Sequence, residues 1–320
     1  MADTPKTLSD AIRYFADPDN ALNYMVSLRW PNGVACPYCD SENPMFLATR
    51  RIWKCRAREC RKQFSAKVGT IFEDSPLPLD KWLTAVWLIA NCRNGISSYE
   101  IARDLQVTQK TAWFMLHRMR EAMQDGTIGG MLGGEVEADE TFIGGKARNM
   151  HAKKRAEKIH GRGPAGKAIV AAVLERGGRV RAKVVDKRRK EQLQGLVREN
   201  VVPGSSLYTD ELKSYDGLSG DFEHQVINHA IQYVDEQLHT NDCENFWSLL
   251  KRSLKGTYIS VEPFHLFRYV DEQAFRYNTR KDGDGEKVSD ADRFYSVCRQ
   301  VVGRRLTWNR LTGKTESASL

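Results

Sequence analysis

The chain contains no apolar run approaching the ~18 residues of a membrane span. Its first residues, MADTPKTLSD, have neither the basic nor the apolar stretch of a secretory leader. Both absences predict a cytosolic protein with no membrane partner. No internal repeat is present, which sets aside solenoids and propellers. Acidic charge is short: 41 Asp and Glu against 49 Lys and Arg leave a net charge of +8. That excess favours a polyanionic partner, although charge bears on association and not on fold. The cysteines number seven, too odd a set for a complete disulfide framework. In a reducing compartment their four clustered members point to metal and the three scattered ones to packing.

What is present is ordinary for globular protein, 41% hydrophobic and 28% charged, and 320 residues suffice for two or three domains. Residues 1–30 read as one or two short helices, interrupted near Pro18 and capped by Ser9 or Asp17. In residues 31–70, Cys36 and Cys39 form one close pair, and Cys55 and Cys60 another. Four thiolates at tetrahedral corners make a structural zinc site, with the intervening Arg51–Lys54 strand folding back as a hairpin. All four positions are filled by sulfur, so such a zinc holds a fold and does no chemistry. Arg50 to Lys67 carries eight basic residues and one acid, a coat suited to phosphate contact or simply to water.

Residues 71–128 read as helical. Leu79, Trp82, Leu83, Val86 and Trp87 recur at core-helix spacing, and Gly95 is a stop. A short helix from Ser97 or Ser98, a turn at Gln106-Val107 and a longer helix capped by Thr108 resemble a helix-turn-helix. Its second helix would present Gln109, Lys110 and Trp113 to a major groove, although a plain helical hairpin carries the same pattern. Glycines between 126 and 134 then mark a linker.

From 134 to 282 strands alternate with helices, which indicates a mixed sheet flanked by helices. GEVEADETFIG crowds Glu135, Glu137, Asp139 and Glu140 onto one strand, though acids are poor strand formers. SSLYTDEL ends a second strand at Asp210. HTNDCENFWSLLKRSLKGTY, read as a helix, places Glu244, Ser248 and Lys251 on one stripe and Phe246, Leu249 and Leu250 on another. Singly, each acid suits a surface. Together, Asp139, Asp210 71 residues on, and Glu244 34 after that form a candidate carboxylate site for divalent ions, with Lys251 seven residues further to hold a phosphate.

This ordered set resembles the DDE motif of transposases and retroviral-type integrases. Its context, YTDELKSYDGL and then HTNDCENFWSLLKRSLKGTYISVEPFHLFRYVDEQAFRYN, looks like bacterial insertion-sequence transposases with an N-terminal zinc ribbon and helix-turn-helix. The resemblance spans about residues 15 to 282. It implies a multidomain α+β protein with an RNase H-like catalytic domain, catalytic Mg²⁺ (or Mn²⁺) beside structural Zn²⁺, and double-stranded DNA as partner. A homodimer or higher oligomer on DNA, at the bacterial nucleoid, is implied as well. Some relatives carry Asn in the third ligand position, which leaves Asn241 as the alternative to Glu244; a carboxylate is the better ligand for a hard cation. A metal-dependent nuclease without strand transfer and a catalytically dead DNA-binding regulator are the rival functions.

Residues 146–166 hold seven basic residues and one acid, among them Lys153, Lys154 and Arg155, a loop expected to grip the DNA backbone. In the tail, a helix capped by Ser260 is expected to pack through Phe264, Phe267, Val270 and Ala274. Arg268, Glu272 and Arg276 would then face outward or toward the site. Residues 283–320 add a last amphipathic helix, with Cys298 as a small apolar residue, and a tail.

Overall fold

Thr7, and not Ser9, opens the first helix. Its hydroxyl accepts from the Asp10 amide and starts α1 (Leu8–Phe15), while Asp17 caps α2 (Pro18–Arg29), whose proline sits where a missing N–H costs nothing. This is a computed structural model that describes residues 5–124, 130–145, 150–159, 165–227 and 240–314. The chain divides into two compact units, Met1–Gln124 with Lys281–Leu320, and Asp125–Arg280.

In the first unit, β1 (Met45–Leu47), β2 (Ile52–Lys54) and β3 (Gln63–Phe64) form an antiparallel ribbon. The helices α3 (Leu79–Asn91), α4 (Ser98–Leu105) and α5 (Gln109–Ala122) follow. Ser97 and Glu100 close a capping box on α4, Gln106 takes the left-handed conformation at its end (φ 51°), and Thr108 caps α5. The C-terminal helices α10 (Asp290–Arg299) and α11 (Trp308–Leu311) belong to this unit. Phe294 of α10 joins Phe15, Tyr24 and Trp87 in one aromatic core, with Cys298 buried on the same helix.

The second unit is built on a five-stranded sheet in the order β6-β5-β4-β7-β8. Its strands are β4 (Glu135–Ile143), β5 (Ala168–Glu175), β6 (Val180–Val185), β7 (Ser206–Asp210) and β8 (Glu223–Ile227). The first three strands in sequence pair antiparallel as a meander, and β7 and β8 add parallel to β4. The parallel addition requires a crossover, supplied by α7 (Lys190–Asn200) between β6 and β7. This is the RNase H-like arrangement. A short helix α6 (Ala152–Lys158) lies between β4 and β5.

Both faces of the sheet are covered, and β5 accordingly reads as an apolar run instead of an alternating one. Val136, Ala138 and Leu207 pack with Leu193 and Val197 of α7 on one face. On the other, Val170, Ala172 and Leu174 pack with α8 (Asn241–Ser253) and α9 (Leu266–Asn278). HQVINH (224–229) reads as a strand by its sequence; β8 ends at Ile227, and Asn228 and His229 lie outside the described residues, as does His239 before α8.

The tail helix departs in part from expectation. Arg268, Glu272 and Arg276 are buried, and Phe264 and Phe267 are 59% and 37% exposed. The packing stripe of α9 is Leu266, Tyr269, Val270, Ala274 and Tyr277, so Val270 and Ala274 pack as expected, and Glu272 is tolerated inside because Arg276 and Tyr258 satisfy it. Ser260 does not cap this helix, which is entered through a 3₁₀ turn at Pro263–His265. Among the described residues, no helix is long and apolar enough to cross a membrane.

Candidate functional site

The four cysteines of the ribbon converge. Cys36 and Cys60 sulfurs are 3.8 Å apart and those of Cys39 and Cys55 3.6 Å. Tetrahedral Zn–S bonds of ~2.3 Å require sulfurs roughly 3.8 Å apart, so the cluster fits zinc. The two halves repeat one design. Cys36 and Cys55 each donate a backbone N–H to a carbonyl beyond the second cysteine, Ser41 and Lys62, and each second cysteine is followed by a left-handed residue, Asp40 (φ 55°) or Arg61 (φ 49°). Burial opposes the Cys55 thiolate, but hydrogen bonds from the Ala57 amide and the neighbouring thiols outweigh it and bring its pKa to about 7.

The carboxylates meet where β4 passes the end of β7. Ala138 pairs with Thr209, so Asp139 and Asp210 come side by side. Oxygens of Asp139, Glu140 and Asp210 lie within 4.8 Å of one another. This all-oxygen donor set suits a hard divalent cation. Alternation along β4 sends Asp139 toward α8 and Glu140 toward α7. Only because Asp210 ends its strand between them do both reach it.

Glu140 is steadied by Arg188 at 3.0 Å and by the Tyr215 hydroxyl at 3.2 Å. Asp139 accepts from the Trp247 indole at 2.8 Å and from the Glu140 amide at 2.7 Å. Burial raises the pKa of Asp139 and Glu140 most. The Trp247 bond opposes it for Asp139 and the Arg188 bond for Glu140, while the charge of Asp210 adds to the rise in both. Removing like charge from water costs energy unless a cation enters.

The third element, α8, is held to β4 at two points. Thr240 at its N-cap makes no side-chain capping bond. The buried Glu137 of β4 takes over, accepting from the Cys243 amide at 2.9 Å and pairing with Arg176 at 3.2 Å. Two residues along the same strand face, Asp139 receives the indole of Trp247, one helical turn after Cys243. This fixes the rotation of α8, and Glu244, Ser248 and Lys251 line a cleft of about 510 Å³ with Asp139, Glu140 and Trp247. Glu244 is outside the tight carboxylate cluster, although its charge is felt at Asp139. Asn241 is exposed and absent from the residues lining that cleft.

Sequence reasoning left Glu140, Glu137, Arg188, Tyr215 and Trp247 without roles. The acid crowding on β4 was a usable signal for the first two; no spacing pattern marks the others.

Of the groove-reading candidates, Gln109 donates to the Ser98 hydroxyl at 2.9 Å. The Lys110 ammonium lies 4.6 Å over the ring of Trp308, and Trp113 meets the same ring edge-on at 5.9 Å. The start of α5 therefore shares its surface with α11. Lys153 and Arg155 are exposed on α6; for Lys154 only the backbone is described.

An RNase H-like sheet with acids at adjoining strands, in a chain that also carries a four-thiol ribbon, defines a class of nucleic-acid-processing proteins. The chain belongs to the ISXO2-like transposase family. Residues 131–278 match the ISXO2-like transposase domain and 17–63 the transposase zinc-ribbon domain. An uncharacterized protein in transposable element ISH50 of Halobacterium salinarum is 28% identical over 254 residues, covering 76% of this chain and 85% of that protein. An uncharacterized transposase-like protein of Haemophilus influenzae is 39% identical over 85 residues, 26% of this chain and 68% of that protein. Among solved structures, the Mos1 strand transfer complex aligns with TM-score 0.20 and 14% identity, covering 65% of this chain and 79% of that one. Overlap that weak leaves strand order as the warrant for the fold.

Proposed function

We propose that the chain is a DDE-type transposase that binds the terminal inverted repeats of its element, cleaves a strand at each end and joins the freed 3′-hydroxyl to target DNA. The observation that carries this is the meeting of the carboxylates of Asp139, Glu140 and Asp210, the first two of which also line a cleft with Glu244 and Lys251. Asp139 and Asp210 would hold divalent metal, Mg²⁺ or Mn²⁺, with Glu244 completing the set. The metal supplies Lewis-acid stabilisation of charge at the reacting phosphate. Trp247 holds the Asp139 carboxylate in one orientation, Arg188 and Tyr215 hold Glu140, and Lys251 binds a phosphate oxygen. Work of this kind is positioning and charge neutralisation.

In this reading the ribbon and α4–α5 bind end DNA, with Gln109, Lys110 and Trp113 near the groove. Lys153, Lys154 and Arg155 contact the backbone. The division into residues 1–30, 31–70, 71–128, 134–282 and 283–320 serves as the functional map. Pairing two ends calls for a homodimer or larger assembly on nucleoid DNA in the cytoplasm.

The test incubates the purified chain with Mg²⁺ and duplexes carrying the inverted repeats that flank its gene. Nicked ends and joined products are expected, both lost in Asp139→Ala and Asp210→Ala. Cleavage without joining makes the chain a nuclease, and binding without cleavage a regulator. Full activity in Glu244→Ala, with loss in Asn241→Ala, moves the third ligand to Asn241.

A further inference from the structure

Beyond Ser253, α8 does not stop; it widens into a π-helical segment, Leu254–Tyr258, and the next residue, Ile259, has φ 59° and ψ −56°. The Ser260 amide donates to the Tyr258 carbonyl at 2.6 Å, which makes Ile259 the centre of a γ-turn of the strained hand. A β-branched residue at positive φ is a genuine outlier, and π-segments are rare and concentrate at functional sites. Two such features in succession persist only where the surroundings impose them.

Here the anchor is Tyr258. Its hydroxyl bonds to Glu272, which is fully buried on α9 and paired with Arg276, and its ring meets Tyr269 at 4.8 Å. The result is an isoleucine 81% exposed at the tip of a rigid turn, with Phe264 59% exposed after it. The turn is continuous with the helix that lines the carboxylate cleft. Arg252 and Lys255 are exposed between them, and Lys251 is in the cleft itself.

We infer that Ile259 is a wedge that enters the base stack of duplex DNA next to the cleavage site. This rests on the reading of the cleft as a DNA-cleaving site. Apolar side chains inserted between base steps unstack and kink a duplex, and the basic residues along the helix supply the phosphate contacts that hold such a wedge in register. Seven helical residues lie between Lys251 and Ile259, five of them in the wider π-segment, so the rise is at most roughly 12 Å at ~1.5 Å per residue. At ~3.4 Å per base step, the wedge falls about three steps from the phosphate bound by Lys251. Loosening the duplex there would free the strand that enters the cleft.

Ile259→Gly removes the wedge and relieves the strain, since glycine adopts positive φ without penalty, so the variant is expected to fold at least as stably as the parent. Full-length protein is mixed with duplexes carrying the flanking inverted repeat, with 2-aminopurine placed at successive positions. Without divalent metal, the parent should brighten the probe at one position about three steps from the cleavage phosphate, and Ile259→Gly should not, at comparable binding. With Mg²⁺, Ile259→Gly should cleave paired ends at least about tenfold more slowly, and regain the parent rate on a duplex mismatched at that step. Parent-like brightening and cleavage by Ile259→Gly overturns the wedge. So does a variant that changes only self-association in sedimentation, which would make the patch a contact between copies. A parent that neither binds nor cleaves these duplexes refutes the transposase reading itself, and the wedge falls with it.

Discussion

Glu137→Ala tests the claim that α8 is aligned by the strand it faces. The substitution strips the buried Cys243 amide of its acceptor and Arg176 of one carboxylate. An unsatisfied buried N–H costs about 1–3 kcal/mol. Arg176 retains Glu135 at 3.2 Å and the Tyr208 ring at 4.0 Å. Its loss therefore falls well short of the ~3–5 kcal/mol of a fully orphaned buried charge, and about 1 kcal/mol is a fair share. The sum is roughly 3 kcal/mol, which for a unit of this size lowers Tm by about 6–12 °C. Glu137→Gln keeps a carbonyl acceptor for Cys243 and should lose about 1 kcal/mol. Calorimetry supplies the melting temperatures, and hydrogen exchange locates the change, which should concentrate in the first turn of α8. An alanine variant that melts within about 1 °C of the parent, with α8 amides equally protected, would refute the argument.

Trp247→Phe removes the indole donor that opposes the raised pKa of Asp139, so that pKa should climb further and the acid limb of metal-dependent cleavage should move to higher pH. An unmoved limb in a pH–rate profile would deny the indole this role. In metal-free protein, Glu137, Asp139 and Glu140 all have folded pKa values above their ordinary 4.5, 3.8 and 4.5. The folded state then holds more protons than the unfolded one between those values and the raised ones. Stability of this unit should accordingly fall as pH rises through that window, and added Mg²⁺ should flatten the fall by favouring the ionised carboxylates; denaturant titrations at several pH values measure both. Removing zinc with a strong chelator, or Cys36→Ser, should loosen the ribbon, because its three short strands bury little beyond Trp53 and Phe64 and lean on the four-thiol site. Metal analysis finding no zinc in chelator-free protein would contradict the site.

Local signals made the first unit legible. The caps Asp17, Ser97 and Thr108, Gln106 between a short and a longer helix, and the paired cysteines each act over a few residues, and each appears where its chemistry requires. The C-terminal helix was different. Nothing in SDADRFYSVCRQ says that Phe294 fills a core with Phe15 and Trp87, because that pairing is set by packing across some two hundred residues. On α9 the periodicity was visible and the phase only in part: Val270 and Ala274 pack, Phe264 and Phe267 do not. A buried Glu272–Arg276 pair and two exposed phenylalanines invert the usual polarity, and burial of charge becomes affordable only once Tyr258 is seen to join the pair.

The carboxylate site shows the same limit at closer range. Spacing along the chain singled out Asp139, Asp210 and Glu244. Strand alternation points Glu140 to the other face of β4, and by that rule alone it would stand apart. Register overrides that argument: β7 ends opposite Asp139, and a residue at a strand end is reachable from both faces of its neighbour. Glu137 then explains why β4 tolerates so many acids. One caps a helix that has no side-chain cap of its own, one receives that helix's indole, and one is held by Arg188 and Tyr215. Three of the four acids crowded on this strand thus have separate tasks, and the fourth, Glu135, braces the first through Arg176. A strand rich in poor strand formers is stable here because its charges are each partnered by an element that the site needs in place.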